Sequence, residues 1–141
     1  MPIRRTPIKA AALLLAPLMM AGGVQGDSEP YVCSLTRSVE CDRDLDCGAP
    51  ALEQPIPTFI HVDREASLIT LLAPAERRGE ATRIDASVRD GDRMIMSGVE
   101  AGRGWTLSLS ETEGSAVMTV NLGDAGYVAF GQCIASGLLS P

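Results

Sequence analysis

The chain has 141 residues, with 12 Lys and Arg against 18 Asp and Glu, for a formal net charge of −6 at pH 7. That length fits one domain and excludes a multidomain enzyme. The acid excess excludes a nucleic-acid binder, whose electrostatic footprint is basic, and a polybasic membrane-surface protein.

Arg4, Arg5 and Lys9 precede an apolar run at 10–24, and Val24-Gln25-Gly26 then places small residues where a signal peptidase cuts. This order predicts a cleaved signal peptide at 1–26 and an exported protein, periplasmic or secreted. Arg4-Arg5-Thr6-Pro7-Ile8-Lys9 fits the twin-arginine pattern except at Pro7 and at Ile3, so both export routes stay open. The run is 15 residues long and contains Pro17, short of the roughly 18 residues of a membrane span. Cleavage removes three basic residues and no acidic ones, which leaves 115 residues with 9 basic and 18 acidic side chains, a net −9. Residues 27–141 then form a single β domain.

After a polar lead-in at 27–30, the stretch 31–40 alternates Tyr31, Cys33, Leu35 and Val39 against Ser34, Thr36 and Ser38, the pattern of a half-buried strand. Residues 41–57 carry four carboxylates with Pro50, Pro55 and Pro57. They predict an irregular acidic loop, because proline cannot donate to a ladder. Short strands follow at 58–63, 67–73, 82–89, 93–99, 104–110, 115–122 and 127–132, separated by turn chemistry. Asp90-Gly91 is the strongest hairpin signal, since both residues tolerate positive φ. Trp105 alternates with Leu107 and Leu109, which points it inward, although an aromatic beside Arg103 also fits an exposed binding hot spot. The tail at 134–141 is expected to be loose. The fold class is all-β: a small antiparallel barrel or sandwich of about eight strands, mainly a meander, with a packed interior.

The four cysteines, Cys33, Cys41, Cys47 and Cys133, contain no Cys-x-x-Cys pair. An even count in a short exported chain predicts two disulfides, with three connectivities open. Cys41–Cys47 closes a short local loop. Cys33–Cys133 then ties the first strand to the last, which are neighbours in a closed barrel.

Asp42, Asp44, Asp46 and Glu53 fall at positions 1, 3, 5 and 12 of an EF-hand calcium loop. Cys47 stands where that loop requires glycine, so a solvated acidic loop is the competing expectation. His61 is the sole histidine, and any His-based catalysis must use it. Ser97 and Ser110 lack a nucleophile-elbow setting, and no spacing selects a carboxylate pair for glycoside hydrolysis. No catalytic residue and no cofactor is expected. Arg77, Arg78 and Arg103 are expected to be solvated cations.

Tyr31-Val32-Cys33 at the start and Cys133 near the end, with about a hundred residues between, resemble the layout of the exported bacterial inhibitors of C-type lysozyme. Ser97-Gly98 resembles the start of that family's Ser-Gly-x-x-Tyr motif, although Glu100 and Ala101 follow; Tyr127 to Gly131 lacks the lysine of its second motif. The resemblance implies a small antiparallel barrel and an inhibitory role. The function expected is a non-enzymatic acidic binding or inhibitory module. Its expected partner is a cationic extracytoplasmic protein, because complementary fields steer encounter. A lysozyme-inhibitor-like protein or an envelope-associated structural domain are the alternatives.

Overall fold

A computed structural model describes residues 29–51 and 56–139. The leader at 1–26 and Glu53 lie outside the described residues. The alternating segments form strands β1 (Tyr31–Asp42), β2 (Cys47–Gly48), β3 (Phe59–Asp63), β4 (Leu68–Ala73), β5 (Ala81–Arg83), β6 (Ala86–Asp90), β7 (Arg93–Glu100), β8 (Arg103–Ser110), β9 (Ser115–Asn121) and β10 (Ala125–Ala135). All pairings are antiparallel, in the order β5-β4-β3-β1-β10-β9-β8-β7-β6, with the short β2 hung on β1.

The two edges of this curled sheet, β5 and β6, are consecutive in the chain, with only Ile84 and Asp85 between them. The Ile84 N–H donates to the Ser67 carbonyl at 2.9 Å, and the Asp85 N–H donates to the Ser97 carbonyl at 2.8 Å. One bent stretch at 81–90 therefore pairs with β4 by its first half and β7 by its second. The expected strand at 82–89 is broken at this bend, because a single straight strand cannot serve both edges. Counted as one, β5 and β6 bring the sheet to eight neighbour-to-neighbour strands, an antiparallel barrel-like meander as expected.

Residue 98 is a glycine for a steric reason. A Cβ there would lie 2.6 Å from the Trp105 ring and would overlap the Arg83 carbonyl oxygen. Its absence lets the β5 backbone and the indole close over β7, and Trp105 is 5% exposed. The inward alternation of Trp105 with Leu107 and Leu109 is met.

β1 departs from simple alternation. Its register against β10 shifts between Leu35 and Arg37, a β-bulge. Before the bulge Cys33 and Leu35 are buried; after it Ser38 and Glu40 stand opposite the buried Ala129 and Tyr127. Val39, expected inward, pairs instead with Val128 on the outer face. The extra residue reverses the period-2 pattern.

Both disulfides start from β1. Cys33–Cys133 joins directly opposed residues of β1 and β10, and Cys41–Cys47 joins directly opposed residues of β1 and β2. The tail differs from the loose expectation. Ile134 and Ala135 belong to β10, and Ser136–Leu139 form a 3-10 turn. Ser136 N–H donates to the Pro30 carbonyl, and Gly137 N–H donates to the Glu29 carboxylate, each at 2.7 Å.

Candidate functional site

The two ends of the sheet are unlike. At one end, turns 64–67, 91–92 and 111–114 meet in a polar network. The fully buried Ser110 hydroxyl donates to Asp92 at 2.8 Å, Thr112 donates to the same oxygen at 2.9 Å, and the Glu113 N–H donates to Ser110 Oγ at 3.0 Å. Those two hydroxyls hold the Asp92 carboxyl below its usual range. Glu111 accepts from Arg89 at 2.8 Å and from the Tyr31 hydroxyl at 3.4 Å, with Arg64 at 3.7 Å. The Arg64 guanidinium also lies 5.5 Å from the centre of the Tyr31 ring. This end is sealed.

At the other end lie the β1–β2 hairpin, the segment between β4 and β5, the Ala101-Gly102 turn and the turn after β9. Instead of a plug there is a pocket of about 530 Å³. Met118, Val120, Leu71 and Trp105 are among its apolar walls, and Arg77, Glu80, Glu100 and Arg103 contribute at its rim. The expectation of a packed rather than hollow interior is corrected at this end. The turn between β7 and β8 is made of the small Ala101 and Gly102, which put no bulky side chain at the mouth.

Inside the pocket the polar groups are neutral. Trp105 Nε1–H donates to Thr82 Oγ1 at 3.2 Å. Tyr127 is 3% exposed, lines the pocket, and its hydroxyl makes no hydrogen bond among the described residues. Burial pushes its phenol above the ordinary value, and the hydrogen-bonding influence of the nearby Ser38 opposes that shift. At the rim, Arg77 binds Glu80 through Nε at 2.9 Å and Nη2 at 2.7 Å, and holds that carboxyl below its usual range. Arg78 donates to the Leu72 carbonyl at 3.1 Å, so Arg77 and Arg78 are tethered rather than merely solvated.

Of the irregular acidic loop expected at 41–57, the first part at 41–48 is instead a built hairpin, whereas 49–51 and 56–57 are irregular and 52–55 lie outside the described residues. The Cys41–Cys47 bridge closes the base of that hairpin. Asp42 Oδ1 accepts from the N–H groups of Asp44 at 2.9 Å and Asp46 at 3.0 Å, an Asx turn. Asp42 N–H donates to the Asp46 carbonyl at 3.1 Å, and Leu45 N–H donates to the Asp42 carbonyl at 3.2 Å. At the tip Leu45 has φ 66° and is 82% exposed. A leucine in the left-handed region costs on the order of 1–2 kcal/mol, and its exposed side chain recovers nothing from packing.

The calcium pattern is not assembled by this hairpin. Asp42 spends an oxygen on the turn's own N–H groups, and Cys47 is bonded to Cys41. Glu53 lies outside the described residues, and no group of three or more His, Cys, Asp or Glu side chains among the described residues is placed to hold a metal ion. His61 alternates with the buried Ile60 and Val62, faces outward, and has no hydrogen-bond or ion-pair partner among the described residues. Ser110 belongs to the sealed network. Ser97 lends its carbonyl to Asp85, and Gly98 accommodates Trp105, so the Ser97-Gly98 pair serves packing here.

Two features of the open end were missed in the sequence. Leu45 carried a signal, as the one apolar residue among Asp42, Asp44 and Asp46. Tyr127 carried none, because alternation places a side chain inward without saying whether its hydroxyl finds a partner. No family model, curated protein or solved structure matches this chain.

Proposed function

We propose that this protein is an exported, non-enzymatic acidic binding module that presents its stapled hairpin to a cationic protein. The observation that carries the reading is Leu45. An exposed leucine is held in a disfavoured backbone conformation by a disulfide and an Asx turn, with Asp42, Asp44 and Asp46 exposed around it. Backbone strain fixed by its surroundings is commonest where it serves function. A pre-ordered apolar tip loses little entropy on binding, and a ring of carboxylates favours a cleft with a basic rim. Elsewhere at this end Glu76, Glu100 and Asp124 are balanced one for one by Arg43, Arg78 and Arg103, so the hairpin aspartates carry the excess negative charge among these exposed groups.

Export is supported by the leader pattern at 1–26 and by two disulfides, which persist in oxidising compartments. No helix among the described residues is long and apolar enough to cross a membrane. C-type lysozyme is the sharpest partner to test, being cationic and the target that the two-cysteine layout implies.

The test measures inhibition of a C-type lysozyme on cell walls by the exported protein, beside an unrelated protein of equal charge. Salt is raised from 0.1 M to 1 M, where the Debye length falls from about 10 Å to about 3 Å. Specific binding keeps part of its strength in high salt and weakens at least about tenfold in Leu45→Ala, as for a buried anchor. Equal inhibition by the control, or an unchanged Leu45→Ala variant, rules out the hairpin as the binding element. If lysozyme alone is unaffected, the same measurements on other cationic envelope proteins decide the wider reading, and absence of salt-resistant binding to all of them overturns it.

A further inference from the structure

The pocket at the open end does not take part in the hairpin's proposed role, and its chemistry is distinct. Its walls are apolar, its volume of about 530 Å³ falls among small-molecule sites, and its charged groups stand at the rim. The uncharged polar side chains that line it are Thr82, whose hydroxyl is already used by Trp105, and Tyr127, whose hydroxyl is buried near Ser38 and completes no hydrogen bond among the described residues. An unpaired buried hydroxyl is a standing penalty that an acceptor on a bound molecule removes. An ion inside would meet no opposite charge beyond the rim and would lose its hydration.

We propose that the open end of the sheet is a binding site for a neutral, largely apolar small molecule carrying one hydrogen-bond-accepting oxygen, with that oxygen received by the Tyr127 hydroxyl and the apolar body lying against Trp105, Met118 and Val120. The occupant enters past the rim that Glu100 and Arg103, paired with each other across the β7–β8 hairpin, help to form. The Ala101-Gly102 turn joining them has φ of 48° and 77°. Both values match the two-residue hairpin turn that follows the sheet's twist, and the turn carries no bulky side chain over the entrance.

Trp105 is the sole tryptophan of the chain, so its emission reports entry directly. The probes are naphthyl methyl ketone and ethylnaphthalene, which have nearly the same shape and differ in one carbonyl oxygen. Saturable quenching by both is expected, with the ketone bound about tenfold more tightly, as one hydrogen bond to an otherwise unpaired group implies. Tyr127→Phe removes one oxygen and keeps the ring's packing. It should bind ethylnaphthalene unchanged and lose the ketone preference. Val120→Phe fills the pocket and should abolish quenching by both, while its melting transition and circular dichroism verify the fold.

No saturable quenching, or quenching that survives Val120→Phe in a folded protein, overturns the site. Equal affinity for the two probes, or a ketone preference that persists in Tyr127→Phe, overturns the assignment of ligand class. Neither result bears on the hairpin, whose Leu45→Ala test reads a different surface.

Discussion

The sealed and open ends of this sheet are made from the same parts, tight turns between short antiparallel strands, yet their turns are used differently. At the sealed end every turn supplies a donor or acceptor to a neighbour: Ser110 and Thr112 to Asp92, and Arg89, Arg64 and Tyr31 to Glu111. At the open end a buried hydroxyl completes no hydrogen bond among the described residues, an exposed leucine crowns a stapled hairpin, and two of the three non-glycine residues with positive φ among the described residues, Leu45 and Ala101, sit in its turns. Local consistency marks the part of a molecule that secures the fold, and local inconsistency marks the part shaped by something else. Each end also has its own disulfide on β1. The bridge near the sealed end spans 100 residues, and the one at the open end spans 6.

The difference can be broken at the disulfides first. Replacing Cys33 and Cys133 together by alanine should lower unfolding free energy by about 4–5 kcal/mol, since loop-closure entropy grows with the residues enclosed. The Cys41, Cys47 double alanine variant should lose roughly 2 kcal/mol or less on the same relation, and its loss should be confined to the hairpin. Denaturant unfolding of both variants checks this, with hydrogen exchange at β7 and β8 reading whether the sheet itself has loosened. A larger global loss from the short bridge would invert the proposed roles of the two ends.

A pair of single-oxygen deletions sharpens the contrast. Ser110→Ala at the sealed end strands the Glu113 N–H and removes a donor from Asp92, and should cost about 1–3 kcal/mol. Tyr127→Phe at the open end removes an oxygen that completes no hydrogen bond among the described residues, and should leave stability unchanged or raise it by up to about 1 kcal/mol. Chemical denaturation midpoints at constant slope measure both. The signs matter more than the sizes, because the opposite sign at Tyr127 would mean that its hydroxyl is paired in solution.

The smallest expected effect is on acid stability. Asp92, held down by Ser110 and Thr112, and Glu80, held down by Arg77, both have folded pKa values below their ordinary ones. A carboxyl of this kind contributes stability that is fully present above its unfolded pKa, about 4, and is lost as pH falls through the lower folded value. Melting temperature should therefore decline as pH is lowered from about 5 towards 2. In Ser110→Ala the part due to Asp92 should shrink, whereas Arg77→Gln should remove the part due to Glu80.

Much of the fold was legible because a strand's two faces see different solvents, and period-2 alternation records that directly. Trp105, Leu107 and Leu109 were assigned inward on that ground. Asp90-Gly91 marked the hairpin one residue early: the turn is Gly91-Asp92, Asp90 ends β6 opposite Arg93, and of the expected pair only Gly91 has a positive φ, 60°. The pairing of Cys33 with Cys133 followed from adjacency of first and last strands. Val39 was misplaced because a bulge inserts one residue that leaves no compositional trace at Thr36. The tail was misjudged because its partners, Pro30 and Glu29, lie at the far end of the chain.

Alternation, turn residues and cysteine spacing are local properties, and they determined that this protein is a small disulfide-stapled antiparallel meander with its tryptophan inside. Whether the enclosed space is filled is a sum over side chains from eight strands, and no segment carries that sum. Only the tertiary structure decided that Ser110 and Glu111 meet hydrogen-bond partners while the Tyr127 hydroxyl completes none among the described residues, and that Leu45 is held outward on a closed hairpin. The physical reason is that hydrogen-bond satisfaction and packing depend on groups far apart in the chain, brought together by the bend at Ile84-Asp85 and the bulge in β1.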